Sequence, residues 1–261
     1  MIAADYPYLR TGFIAMAHRG GSTYMPNLGK ENTLHAFQQA IALGYRYIET
    51  DVQATKDHRL VVFHDRSMER LASVAGPVRN HTSAEVSTMR VGGEPIPFFD
   101  EVVEALPDIR FNIDLKTADA VEPLVAAIRA HKLADRVLVV SFSQTRISHF
   151  RARTRGRIPT AMAPLGALWT TLIPGARRII ASPGVAVQVP RLNRIGSLRF
   201  PVLTPDSIRR AHQLGRVVHA WTVNDPKEMD KLVAWGVDGI ITDRPDLLKD
   251  VLISHNKWEG S

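Results

Sequence analysis

Apolar positions recur along the chain in two alternating rhythms. Short runs rich in β-branched residues, at 13–17, 46–52, 60–63, 109–115, 137–142, 158–162, 185–189, 216–222 and 239–242, read as strands. Between them, 33–43, 98–105, 119–131, 144–153, 205–214, 226–235 and 245–252 read as helices. Local punctuation agrees. Asn32 stands where a cap would for the first helix, Thr204-Pro205 opens another, and Asn224-Asp225-Pro226 opens a third with proline just inside its start. Gly44, Gly215 and Gly236 stand at helix ends. Such alternation predicts βα units and a parallel sheet.

Nine strands are one too many for a closed barrel of eight. Only seven residues, Gln53 to Arg59, separate Val52 from Leu60. A helical crossover needs about a dozen or more. Strands 46–52 and 60–63 therefore pair as a hairpin that turns at Lys56-Asp57-His58 and returns His64 to the rim. The expected fold is α/β: a single-domain TIM (β/α)8 barrel with a β-hairpin extension after strand 2. It would span residues 1–261 with a core of about 14–252. Residues 163–184 are broken by Pro164, Gly166, Pro174, Pro183 and Gly184, and read as a degenerate helical excursion on the rim.

Composition narrows the function classes. The chain has 45% hydrophobic and 23% charged residues, ordinary for a globular protein. It has no cysteine, which excludes disulfides, thiolate metal sites and cysteine nucleophiles. Met1-Ile2-Ala3-Ala4-Asp5 is not followed by a signal-peptide pattern, and no run approaches the ~18 apolar residues of a membrane span, so a cytoplasmic location is expected. A net charge of +7 and a pI near 9.9 favour anionic partners. No nucleic-acid recognition element accompanies that charge, which leaves small phosphates and lipid headgroups. Trp169 and several aliphatics with Arg177-Arg178 give 163–184 a composition compatible with peripheral membrane contact. Oligomeric state stays open.

Chemistry gathers at strand ends, where barrel enzymes place it. Glu49 and Asp51 lie two apart on a strand and so share a face. Carboxylates aimed into one site call for a hard divalent cation, Mg²⁺ or Ca²⁺. Asp114 ends the run Phe111-Asn112-Ile113-Asp114 and offers a third oxygen ligand. His18 and His64 end two further runs, and a pair of imidazoles suits the proton transfers of phosphodiester cleavage. Arg19 and Lys116 are candidate phosphate-binding cations. Trp221 would wall the mouth and pack on the organic part of a substrate. Glu31-Asn32 read as a helix cap, Asp243 as a capping or ion-pairing residue, and Gln188 as a weak ligand candidate. No P-loop, nucleophile elbow or dinucleotide fingerprint is present.

The ordered set Ala17-His18-Arg19-Gly20, Glu31-Asn32-Thr33, Glu49-Thr50-Asp51 and Phe63-His64-Asp65 resembles the glycerophosphodiester phosphodiesterase family. Ile113-Asp114-Leu115-Lys116, Trp221-Thr222-Val223-Asn224 and the stretch from Gly236 to Pro245 extend the resemblance over about 14–252. It implies a TIM barrel and metal-dependent hydrolysis of glycerophosphodiesters to glycerol 3-phosphate and an alcohol. It also implies catalytic His18 and His64, metal ligands Glu49, Asp51 and Asp114, and phosphate contacts from Arg19 and Lys116. Two features depart from the family pattern: Asp114 stands where glutamate is usual, and Lys30 replaces a proline behind a longer loop, Ser22 to Gly29. Choline or ethanolamine esters would suit a soluble enzyme, and lysophospholipids an apolar entry. The rival of another class is a non-catalytic phosphate-ligand binding barrel.

Overall fold

The computed structural model describes residues 1–10, 12–163, 166–167, 183–195 and 198–258. Seven strands build a parallel ladder: β1 (Ile14–His18), β2 (Tyr47–Ala54), β6 (Arg110–Leu115), β7 (Val137–Val140), β8 (Ala186–Val189), β11 (Val217–Ala220) and β12 (Gly239–Thr242). Their order is β7-β6-β2-β1-β12-β11-β8. The expected strand at 158–162 is reduced to single parallel bridges, Val139 to Thr160 and Ala161 to Ala186. Those bridges join the two ends of the ladder. Backbone bonds from Ala161 N to Val139 O (3.1 Å) and Met162 N to Ala186 O (2.9 Å) run across the join. The sheet is thus curled into a barrel whose eighth position is one bridge wide on each side.

The hairpin forms where loop length requires it. β3 (Leu60–Val62) runs antiparallel to β2, with Val52 opposite Val62 and Ala54 opposite Leu60. Its turn closes with Thr55 N on Arg59 O, and His58 takes a left-handed φ of 64°. Beyond it comes a small insertion absent from the expected element list: α2 (Glu69–Ala72), α3 (Ser83–Thr88), and the short pair β4 (Arg90–Val91) and β5 (Glu94–Pro95). Elements this short carry too few periods to show in a sequence pattern. The insertion has its own apolar cluster, including Phe63, Met68, Val78, Val86, Val91 and Phe98. Asp57 in the hairpin turn fastens it by accepting from Ser83 N (2.8 Å) and Ser83 Oγ (2.6 Å).

The outer helices follow the expected order. They are α1 (Leu34–Ala42), α4 (Phe99–Ala105), α5 (Val121–Ala130), α6 (Gln144–Thr154), α7 (Pro205–Gln213), α8 (Pro226–Trp235) and α9 (Pro245–Ser254). The first is capped by Thr33, whose side chain accepts from Ala36 N, and not by Asn32. A further antiparallel pair, β9 (Leu192–Ile195) and β10 (Leu198–Pro201), follows β8.

Apolar packing separates into an outer and an inner shell. Strand residues facing the helices, such as Ile48, Val52, Phe111 and Val139, join Phe37, Leu124, Phe150 and Leu248 in one large cluster. Met16, Tyr47, Leu138, Ala186 and Ile241 face inward. N-terminal residues Tyr6, Tyr8 and Leu9 pack on this inner set, with Tyr8 edge-on to Tyr47 at 5.2 Å and its carbonyl accepting from Tyr47 Oη. They plug the bottom of the barrel, and among the described residues its interior opens at the end carrying the strand C-termini. Among the described residues no helix is long and apolar enough to cross a membrane. The segment proposed for membrane contact, with Trp169, Arg177 and Arg178, lies almost wholly outside the described residues.

Candidate active site

A cavity of about 520 Å³ opens at that end. All eight candidate residues line it: His18, Arg19, Glu49, Asp51, His64, Asp114, Lys116 and Trp221. Strand register explains the convergence. Glu49 pairs with His18 on one side and Asn112 on the other, while Asp51 pairs with Asp114 one layer nearer the mouth. Glu49, Asp51 and Asp114 are only 6%, 1% and 4% exposed.

Burial of like charges dictates the electrostatics. Desolvation, then the neighbouring Asp51, pushes the Glu49 carboxyl up to about 7. Burial also pushes Asp114 up. It opposes ionisation of Asp51 too, but Lys116 and Arg19 outweigh it and hold Asp51 below its ordinary value. The Lys116 ammonium stands between the two aspartates, at 2.9 Å from Asp51 Oδ1 and 2.7 Å from Asp114 Oδ2. Arg19 Nε lies 3.4 Å from Asp51 Oδ2. Asp114 Oδ1 is buried without a hydrogen-bond partner. An unmatched buried oxygen on Asp114, with Glu49 and Asp114 both raised by burial, is a state a hard cation would relieve, so this trio fits a divalent metal.

A second acidic group lies beside it. Glu31, His64 and Asp65 bring potential ligand atoms within 4.8 Å of one another. Its carboxylates are already matched by guanidiniums from Arg19 and Arg70. Asp51 and Asp114 are likewise met by Lys116 and Arg19, but Asp114 Oδ1 has no partner, and that open buried oxygen favours the Glu49, Asp51 and Asp114 set as the cation site.

Each imidazole is held by its own carboxylate. His18 Nδ1 lies 2.6 Å from Asp243 Oδ1, and His64 Nδ1 lies 2.7 Å from Asp65 Oδ1. Donation from Nδ1 leaves the Nε2 lone pair of both rings available to take up a proton. The partners are anchored in turn. Asp243 accepts from Ser22 Oγ (2.6 Å) and Asn224 Nδ2 (2.9 Å), and Asp65 takes two bonds from Arg70. Although burial opposes it, His18 is raised above its ordinary value by Glu49 and Asp243. Arg70 holds Asp65 down to about 2, and His18 with Ser22 and Asn224 holds Asp243 at about 2 against the cost of burial.

Several supporting residues escaped the sequence reading or were misread. Of the two roles expected for Asp243, capping does not occur, and pairing does, with His18 as the partner that it orients. Asn32 bonds Asp51 Oδ2 (2.8 Å) and accepts from Thr50 Oγ1, while Glu31 accepts from Arg19. These are tertiary contacts between residues far apart in the chain, which spacing cannot show. Asp65 adjoins His64 and Asp243 ends a strand, and those two positions were the available signal. On the opposite wall Gln188 lines the cavity and donates to Asn112 Oδ1 (3.0 Å). Its Nε2 also lies 3.0 Å from Nδ1 of the buried His219, which burial lowers to about 4. Trp221 walls the mouth, edge-on to Phe142 at 5.6 Å.

Comparison with known proteins agrees with this geometry. Residues 18–247 match the model of the glycerophosphoryl diester phosphodiesterase family. A Mycobacterium tuberculosis protein named "Probable glycerophosphodiester phosphodiesterase 2" is 42% identical over 257 residues, covering 96% of this chain and 94% of its own. The crystal structure of a glycerophosphodiester phosphodiesterase from Agrobacterium tumefaciens superposes with a TM-score of 0.74 at 24% identity, covering 92% of this chain and 98% of that one. An Oleispira antarctica phosphodiesterase, solved in complex with the product sn-glycerol-3-phosphate, superposes with a TM-score of 0.75 at 22% identity, covering 92% and 96%.

Proposed function

The chain belongs to the glycerophosphoryl diester phosphodiesterase family, and on that premise we propose that it hydrolyses glycerophosphodiesters to glycerol 3-phosphate and an alcohol. The observation that carries this reading is the meeting of two carboxylate-oriented imidazoles with three buried carboxylates and two cations around one cavity. The product bound to the Oleispira relative is consistent with it.

The residues divide the work by position. Arg19 and Lys116 bind the phosphate anion, each already held in place by carboxylates. One histidine takes a proton from the attacking oxygen through Nε2, and the other delivers one to the leaving alcohol. The attacker is water or the substrate's own glycerol 2-hydroxyl, which would give a cyclic phosphate. Glu49, Asp51 and Asp114 would hold Mg²⁺ or Ca²⁺, which when bound would neutralise charge on the non-bridging oxygens. The shorter Asp114, in place of the usual glutamate, still faces Asp51 across the ladder. Trp221 and Phe142 pack on the alcohol.

The test is release of glycerol 3-phosphate from glycerophosphocholine by the purified protein, with EDTA and with Mg²⁺ or Ca²⁺ restored. Turnover abolished by EDTA and recovered with either ion is the expected result. Undiminished turnover in EDTA would remove the metal from the account, and no turnover with any ion would favour the non-catalytic binding barrel.

A further inference from the structure

Arg70 stands outside every motif that marks the site, on the four-residue helix α2 of the insertion. Its guanidinium nonetheless makes four bonds into the site. Nε donates to Asp65 Oδ2 (2.6 Å) and Nη2 to Asp65 Oδ1 (2.9 Å). Nη2 also donates to Glu31 Oε1 (2.9 Å), and Nη1 to Glu31 Oε2 (3.3 Å). The two oxygens shared by Nη2 are the informative ones. Asp65 Oδ1 is the oxygen that orients His64, and Glu31 Oε1 is the oxygen that takes Arg19 Nη1 at 2.8 Å. One nitrogen therefore lies between the group that aims an imidazole and the group that aims a phosphate-binding guanidinium.

We propose that Arg70 is a positioning residue that locks His64 and Arg19 into a single geometry, tying the insertion to the catalytic mouth. The physical need is clear. Without a cation here, Glu31 and Asp65 would place two carboxylates side by side and repel. Each would swing away and carry its partner with it. A fork of planar donors can satisfy both carboxylates together, whereas an ammonium is a point charge and cannot. The side chain is 54% exposed, so its effect is on aim more than on stability.

This inference rests on the proposed roles of His64 and Arg19, and the experiment separates the two claims. Turnover of glycerophosphocholine is measured for wild type, His64→Ala, Arg70→Ala, Arg70→Lys and the His64→Ala/Arg70→Ala double variant. A small error of aim costs about 10–100-fold. Arg70→Ala should thus lower kcat by about tenfold and raise KM severalfold, with Arg70→Lys restoring little. In the His64→Ala background the kcat effect should vanish while the KM effect persists, a split that general loss of folding would not produce. Wild-type kinetics in both Arg70 variants, or equal kcat losses with and without His64, would overturn the positioning role. Near-normal turnover by His64→Ala would instead overturn the assignment of His64. Should Arg70→Ala fail to fold, Arg70→Lys decides alone: full activity overturns the proposal and reduced kcat supports it.

Discussion

The two halves of the cavity were built by different rules. Around β1, β2, β6 and the hairpin, strand ends supply His18, Glu49, Asp51, His64, Asp114 and Lys116. Around β7, residues 161–162, β8 and β11, the described lining residues carry no charge, and Val140, Met162, Val189 and Trp221 predominate. The first half rests on long ladders, six registered pairs between β2 and β6 alone. The second includes the join made by single bridges at Thr160 and Ala161. The contrast teaches that the longest strand pairing lies where buried charges converge, and the narrowest where the lining is uncharged. The opposite wall is mostly apolar, and it is where the proposed alcohol would lie.

The largest effect should come from the charged half. His18→Ala or His64→Ala should lower kcat by about 10²–10⁴-fold, with unchanged circular dichroism and melting temperature. Near-wild-type turnover by both variants would remove the acid–base assignment. Less severe is a change in the apolar half. Trp221→Ala removes an aromatic contact of about 1 kcal/mol, so kcat/KM should fall by roughly tenfold or less, mainly through KM. A loss confined to kcat would place Trp221 on the charged side of the comparison.

The smallest effect is on stability. Glu49 is raised from its ordinary 4.5 to about 7, so its protonated form is favoured by the fold. The unfolded chain releases that proton first as pH rises, and stability from this group is lost between about pH 4.5 and 7. In EDTA-treated protein, Glu49→Gln should flatten this part of the melting-temperature profile relative to wild type. An unchanged slope would mean that burial and Asp51 do not raise the Glu49 carboxyl.

How much was legible follows the same divide. Charges at strand ends are conspicuous because they interrupt apolar runs, and Glu49 with Asp51 announces a shared face by spacing alone. The seven-residue gap after Val52 forced the hairpin by geometry. Arg70, Glu31 and Asp243 act through side chains that meet only after folding, so Arg70 has no local mark, and the motif position of Glu31 and the strand-end position of Asp243 do not reveal their partners. Thr33 displaced Asn32 as the cap because Asn32 is committed to Asp51 and Thr50. The strand expected at 158–162 proved shorter than its apolar run, because single bridges at Thr160 and Ala161 suffice to hold the eighth barrel position.

The most direct test of the account is the identity of the products. Glycerophosphocholine incubated with the protein and Mg²⁺ or Ca²⁺ is followed by ³¹P NMR. Cleavage on the alcohol side predicts a single final phosphorus product, glycerol 3-phosphate, with choline released in equal amount. Phosphocholine as the product, or an unchanged substrate signal with either ion, would contradict it.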